Sequence, residues 1–343
     1  MSLDFKQTLE SLGYKLRDRG KYWQTNAQFR DGNNFTAIQI FKDNGNWNDY
    51  VEGKTSLKFD LLVKKTLGTN NQSVIQKYIK HRELDSFGEP ENKGEKITMD
   101  EIFDKEYLKK LMPHYAFYNK KGISDETLKF FMGGFAHSGK LHKRFVFPIF
   151  NQDSLIHGFA GRDMTSIEER PKWKHVGRKS SWIYPAFIGD IQEIICEKNQ
   201  AILVESIGDM LALHEQGIKN VLVTFGLDVS PSLMCYMTGI GINKITISFN
   251  NDAGKKYNRG LDSCIKTYLK LLKHFDPSAL EICLPIKNDF GDMDQEDFST
   301  WTEKLNSIDS QKQKDYIIKM SKSLFKKGFI TNNLMKNIKY INE

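Results

Sequence analysis

The chain has only four cysteines in 343 residues, Cys196, Cys235, Cys264 and Cys283, and no two are spaced C-x-x-C. That excludes a zinc knuckle and a disulfide framework, and it fits a reducing interior. Long apolar runs are missing too: nothing approaches the ~20 residues of a membrane span. The opening MSLDFKQTLESLGYKL is charged and amphipathic, without the apolar centre of a secretory leader. A soluble cytoplasmic protein with no membrane partner is expected. Repeats and low-complexity tracts are absent. The charge excess is small, 50 Lys+Arg against 43 Asp+Glu, giving +7. It fits a polyanion partner without requiring one.

What is present has a clear order. Residues 3–13 read as a short helix ending at Gly13, followed by alternating aromatic and polar segments, YWQTNAQF, FTAIQIF and GNWNDYV. The turn Asp43-Asn44-Gly45-Asn46 between two such runs is a hairpin signal. SLKFDLLVKKTL then has helical spacing, so residues 1–82 read as a small β-ribbon plus helix. Residues 83–97 are polar, charged and Gly/Pro-bearing, a linker. MDEIFDKEYLKKLM and SDETLKFFMGGF are helix candidates, the second with Ser124 and Thr127 as caps. A strand pair follows, RFVFPIFN and LIHGFAGRD. From Gln200 strands alternate with helices: AILVES, IGDMLALHEQG, VLVTFG, SPSLMCYMTGI, KITISFN, a long helix to about His274, and LEICLPI. That rhythm predicts an α/β fold, a mainly parallel sheet with helices on both faces. Functional groups then belong at the carboxyl ends of its strands.

Three strand ends carry acids or amides. The first gives Glu205, with Asp209 one helical turn later. The third gives Asn250 and Asp252, and the last Asp289 and Asp292. In a parallel sheet these tips share one edge, where crowded acids repel unless a divalent cation neutralises them. Hard oxygen donors without His or Cys favour Mg²⁺ or Mn²⁺, and phosphoryl transfer is the usual chemistry of such a centre. Each acid taken singly also reads as a helix cap. Three tips in one role favour a site.

These motifs resemble a TOPRIM domain, the metal-binding fold of bacterial-type primases and of type IA and II topoisomerases. The resemblance covers residues 199–297. VESIGD matches the family's strand-end Glu and following Asp, with Ser206 where Gly is usual. SFNNDAG matches its Asp-x-Asp, with Asn250 replacing the first Asp, and KNDFGDM matches its third acidic element. Asn250 offers a neutral carbonyl, so a weakened or rearranged centre is expected rather than a dead one.

The stretch just upstream resembles the strand pair and basic loop of bacterial-type replicative primases, through Arg144, Phe147-Pro148-Ile149, Gly158-Phe159-Ala160-Gly161-Arg162 and Pro171-Lys172-Trp173. Residues 140–179 hold nine Lys/Arg against four acids, with three histidines and Trp173 interleaved. Such a groove suits single-stranded template and nucleoside triphosphates. The bland alternative is a solvated basic loop.

The resemblance implies a zinc-ribbon-like domain at 1–82, a primase-core subdomain at 98–198, TOPRIM at 199–298 and a basic helical tail at 299–343. The ribbon lacks Cys and His ligands, so no zinc is expected and aromatic packing must hold it. The whole resembles compact, stand-alone primases of tailed bacteriophages, working in the host cytoplasm within a primosome. Implied roles are catalysis for Glu205 and Asp252, and Mg²⁺ or Mn²⁺ binding for Glu205, Asp209, Asn250, Asp252, Asp289 and Asp292. Arg144, Arg162, Lys172, Trp173 and Lys174 would hold template or triphosphate. Implied partners are single-stranded DNA, ribonucleoside triphosphates, a replicative helicase and a single-stranded-DNA-binding protein. A non-catalytic TOPRIM module for nucleic-acid binding and a TOPRIM nuclease stay open as alternatives. The tail either contacts a helicase or packs on the sheet.

Overall fold

In the computed structural model, the described residues are 4–69, 74–75, 78–79, 101–165, 167, 170–254 and 257–341. The expected linker at 83–97 lies outside them. The chain divides into two compact units, Met1–Asp100 with Lys326–Phe329, and Glu101–Phe325 with Ile330–Glu343.

The first unit is an antiparallel sheet in chain order: β1 (Arg17–Asp18), β2 (Tyr22–Thr25), β3 (Ile38–Phe41), β4 (Trp47–Asp49) and β5 (Lys54–Leu57). Trp23, Ile40 and Trp47 lie opposite one another across β2, β3 and β4, so alternation puts one apolar row on the inner face. The predicted hairpin turn is present between β3 and β4. Gly45 has φ 69°, and a Cβ there would sit 2.5 Å from the Phe5 ring, so only glycine serves. The helix expected over SLKFDLLVKKTL contracts to Phe59–Leu67, because Lys54–Leu57 pair with β4 instead. Strand pairing overrides local helical spacing.

Aromatic packing is joined here by a buried charge cluster. The Arg30 guanidinium bonds both carboxylate oxygens of Asp49, one at 2.8 Å, and Arg30 and Asp49 are buried. Asp49 Oδ1 also accepts the Val51 and Glu52 N–H groups at 3.0 and 3.1 Å. Glu52 lies 3.4 Å from both Arg30 and Lys65. The cluster pins the β4–β5 turn, and removing one partner strands a buried charge. We expect Arg30→Met to cost this unit about 3 kcal/mol or more. The measurement is amide hydrogen exchange across β2–β4 in the intact chain; unchanged protection contradicts it.

The second unit contains two sheets. The antiparallel one runs β10 (Trp173–Gly177), β9 (Ile156–Asp163), β8 (Arg144–Phe150), β7 (Gly134–Ala136), β6 (Leu111–Met112). The expected strand pair is β8 and β9. Gly158 on β9 is required, since a Cβ there would lie 2.3 Å from the Trp182 indole. The helix expected over MDEIFDKEYLKKLM shrinks to Glu106–Lys109, because the chain turns into β6 at Leu111. Ser124 caps the helix Asp125–Phe130, as its position predicts.

The other sheet is parallel throughout, in the order β12 (Val221–Val223), β11 (Gln200–Val204), β13 (Lys244–Ile247), β14 (Leu280–Ile282). The helices Ile207–Glu215, Pro231–Gly239 and Arg259–Leu271 connect them. The α/β reading with a parallel sheet is therefore correct. One hydrophobic core runs through both sheets, joining Phe145, Phe147 and Tyr184 to Val204, Met210 and Val223. The boundary expected at 198/199 marks a change of topology without a break in packing. Among the described residues no helix is long and apolar enough to cross a membrane.

The helix Ser310–Lys326 buries Ile317, Ser321 and Leu324, one seam at helical spacing. Its Gln313 amide donates to the Ile282 carbonyl at 2.8 Å and accepts the Ile282 N–H at 2.9 Å. That side chain imitates a neighbouring strand on the free edge of β14. The apolar seam of the tail is thus used in packing. We expect Gln313→Ala, which leaves both Ile282 groups without a protein partner, to cost about 1–3 kcal/mol. A thermal melt checks it, and an unchanged Tm contradicts it.

Candidate active site

The carboxyl ends of three parallel strands supply the acids. Glu205 follows β11, Asn250 and Asp252 follow β13, and Asp289 follows β14. Asp209 sits in the first turn of Ile207–Glu215 and is 3% exposed. It closes a capping box, its Oδ2 accepting the Ser206 N–H at 3.1 Å and hydroxyl at 2.7 Å. Its Oδ1 accepts the Phe290 N–H at 3.3 Å. Asp209 therefore ties the β11 tip to the β14 tip.

The acids feel one another. Burial first, then the Asp289 charge, pushes Asp209 up to about 7 against the pull of the Ser206 and Phe290 hydrogen bonds. Glu205 is raised by burial, opposed by Arg259 and reinforced by Asp252 and Asp289. Asp289 Oδ1 is buried without a hydrogen-bond partner among the described residues.

A basic wall faces these acids. Arg162 on β9 lies opposite Trp173 on β10, so both side chains share one face of the sheet. The Arg162 guanidinium is 5.8 Å from the Trp173 ring centre and 5.8 Å from that of Phe117. Burial holds Arg162 below its usual range, with Asp289 and Asp209 among the groups resisting. Lys172 is lowered by burial and by Arg162, although much of its surface is open, and Asp289, Asp209 and Glu205 pull the other way. Between the walls lies a cavity of about 50 Å³, lined by Tyr118, Lys121, Arg162, Lys172, Trp173, Ser206, Asp209 and Asp289.

Of the residues singled out in the sequence, Asp209, Asp289, Arg162, Lys172 and Trp173 meet at this cavity. Glu205 and Asp252 are half-buried and couple to each other outside its lining. Asn250 presses its backbone on the next helix: a Cβ on Gly260 would lie 1.5 Å from the Asn250 oxygen. Asp292 is exposed and outside the lining. Lys174 is exposed and, one residue on from Trp173, points to the opposite face of β10. Arg144 is 2% exposed, and its Nη1 donates to the carbonyls of Gly161 (3.1 Å) and Pro171 (2.9 Å). It braces the basic loop from inside and is not part of the cavity lining.

Among the described residues no three acids converge on one point as ready metal ligands. Mg²⁺ does not need that, since it keeps several waters and takes one or two carboxylates plus substrate phosphates. The orphaned Asp289 oxygen, with the Asp209 carboxyl and the Ser206 hydroxyl at the same cavity, offers hard oxygen donors that fit such an ion. The sequence reading missed Tyr118 and Lys121, brought in by a distant segment with no motif of its own. Ser206 carries a signal, the Ser-x-x-Asp spacing of a capping box.

No family model matches the chain. Over 135 residues it is 29% identical to the DNA primase of Helicobacter pylori, covering 38% of this chain and 22% of that protein. It is 28% identical over 193 residues to the DNA primase of Borreliella burgdorferi, covering 52% and 32%. The chain thus spans at most about a third of these curated relatives. Among solved structures it is similar to the RNA polymerase domain of Mycobacterium tuberculosis primase DnaG, with TM-score 0.48, 14% identity and coverage of 61% and 79%. It is also similar to the Aquifex aeolicus primase (zinc binding and RNA polymerase domains), with TM-score 0.46, 17% identity and coverage of 100% and 96%. The likeness to bacterial-type DNA primases seen in the motifs thus appears in sequence comparison as well, over 135 to 193 residues.

Native Asp209 keeps its proton up to about pH 7, whereas the unfolded chain loses it near 3.8. This carboxyl's contribution is fully present below about pH 4 and is lost as pH rises through 7. We expect the Tm of metal-free Asp209→Asn, relative to wild type, to move in the variant's favour between pH 4 and 8. The swing is up to about 4 kcal/mol. A pH-independent difference contradicts it.

Proposed function

We propose that the chain is a DNA primase, a DNA-templated RNA polymerase making short RNA primers on single-stranded DNA by metal-dependent nucleotidyl transfer. The observation that supports it best is the acidic wall facing a basic, aromatic wall across one cavity. Single-stranded nucleic acid and triphosphates ask for that pairing. The likeness to curated DNA primases supports the same reading.

In this reading Asp289 holds Mg²⁺ or Mn²⁺ through its orphaned oxygen, with Asp209, Asp252 and Glu205 completing the negative field and Asn250 and Asp292 flanking it. The bound ion would neutralise phosphate charge and lower the pKa of the attacking hydroxyl. Arg162 and Lys172 bind the triphosphate, and their proximity to Asp209 and Asp289 fixes where its charge settles. Trp173 offers a ring face for a base, with Arg162 against the same ring. Glu205, kept above the usual carboxylate range by burial, is placed to take or return a proton. Lys174 faces elsewhere and serves the template outside the cavity. A replicative helicase and a single-stranded-DNA-binding protein are proposed partners. The outer, lysine-bearing side of the tail is the surface left to meet them.

A second reading rests on one observation. Asn250 stands where the resembled pattern has a carboxylate, and among the described residues no three acids converge, which would suit a TOPRIM module retained only for nucleic-acid binding. One experiment separates the two: incubate the chain with single-stranded DNA, labelled ribonucleotides and Mg²⁺ or Mn²⁺, with and without helicase. Labelled primers are expected from wild type. Glu205→Gln and Asp252→Asn should reduce them at least about a hundredfold, the scale of losing a catalytic group, while leaving DNA binding intact. Normal priming by Glu205→Gln removes the catalytic assignment. No primers from wild type, with DNA binding retained, favours the second reading.

A further inference from the structure

The loops carrying Asp252 and Asp289 leave neighbouring strands, β13 and β14, and like charge should drive them apart. They are instead tied together by neutral amides. The Asn251 N–H donates to the Asn288 carbonyl at 2.7 Å, and its Nδ2 donates to the Pro285 carbonyl at 3.0 Å. Its Oδ1 accepts from Asn258 Nδ2 at 2.8 Å. Asn258 Oδ1 in turn accepts the Asp252 N–H at 3.0 Å and the Leu261 N–H at 3.1 Å, the second bond capping the helix Arg259–Leu271. A single side-chain pair thus connects the β13 tip, the β14 loop and a helix N-terminus.

We infer that Asn251 and Asn258 are positioning residues, an amide clamp that sets the spacing of Asp252 and Asp289 before a divalent cation arrives. The inference rests on the reading of these acids as a cation site. Amides suit the task because they brace the loops without adding charge. A lysine or arginine there would hold the carboxylates equally well but would compete with the cation for them. Without the clamp the two tips would spread under their own repulsion, and part of the ion's binding energy would go into drawing them back.

The test is Mn²⁺ binding by calorimetry on the full chain, without nucleotide or DNA, together with a thermal melt. Asn251→Ala removes both side-chain links. Asn258→Ser keeps a good helix cap but is too short to reach Asn251. We expect both variants to melt cooperatively and to bind Mn²⁺ about tenfold or more weakly than wild type, the scale of losing a group that orients metal ligands. Affinity for single-stranded DNA should stay within about twofold, because the basic wall is built on other strands. Wild-type affinity for Mn²⁺ in both variants overturns the clamp and leaves the cation site standing. Failure of wild type to bind Mn²⁺ removes the cation site and the clamp with it. Loss of a cooperative melt in both variants makes the amides purely structural, which also overturns the proposal.

Discussion

Mutual repulsion among carboxylates at the tips of a parallel sheet is the constraint around which the second unit is built. The topology places Glu205, Asp252 and Asp289 on one edge, and the capping box brings Asp209 in beside Asp289. Protein groups offset part of that repulsion. Asp209 keeps a proton into the neutral range and accepts hydrogen bonds from Ser206 and Phe290. Arg259 stabilises the charged form of Glu205. What remains is one buried carboxylate oxygen on Asp289 with no hydrogen-bond partner among the described residues. Such an atom is costly unless a ligand meets it.

The antiparallel sheet answers that constraint from the other side. Its β9 and β10 bring Arg162 and Trp173 onto the face that looks into the core, so the cations meet the acids across the cavity. Arg144 makes this possible from behind. Its guanidinium holds the carbonyls of Gly161 and Pro171, the residues just before Arg162 and Lys172. Gly158, pressed against Trp182, lets the same strand approach closely. Arg144, read from the sequence beside Arg162 and Lys172, is thus built into the support of the other two.

Much of this was legible in the sequence, for identifiable reasons. The parallel sheet showed itself through apolar runs such as AILV and ITI separated by helical patterns, and the acids stood where those runs stop. Asn-Gly-Asn announced the β3–β4 hairpin. What was not legible depends on partners distant in the chain. Ser56 and Leu57 open a stretch of helical spacing, but they belong to the strand that pairs with β4. Arg144 and Lys174 are both basic near strands, and only the register shows that one is buried and the other faces away. Arg30 and Asp49 sit 19 residues apart in unremarkable polar stretches, yet they form the charged centre of the first unit. Tyr118 and Lys121 belong to no motif at all.

The two departures from the TOPRIM pattern, Ser206 and Asn250, act in the same direction. Ser206 adds a hydroxyl that occupies Asp209 Oδ2, so this carboxylate is committed to the helix cap and has less to offer an ion. Asn250 removes a negative charge outright, and its backbone carbonyl is wedged against Gly260. Each change lowers the repulsion among the acids of this edge, and each lowers the charge they could offer a cation. If the edge holds a cation as proposed, such a site would trade cation affinity for lower repulsion among its own acids. In the proposed reading the burden of holding an ion would then fall on Asp289 and on the phosphates of a triphosphate, beside Arg162 and Lys172 in the same cavity.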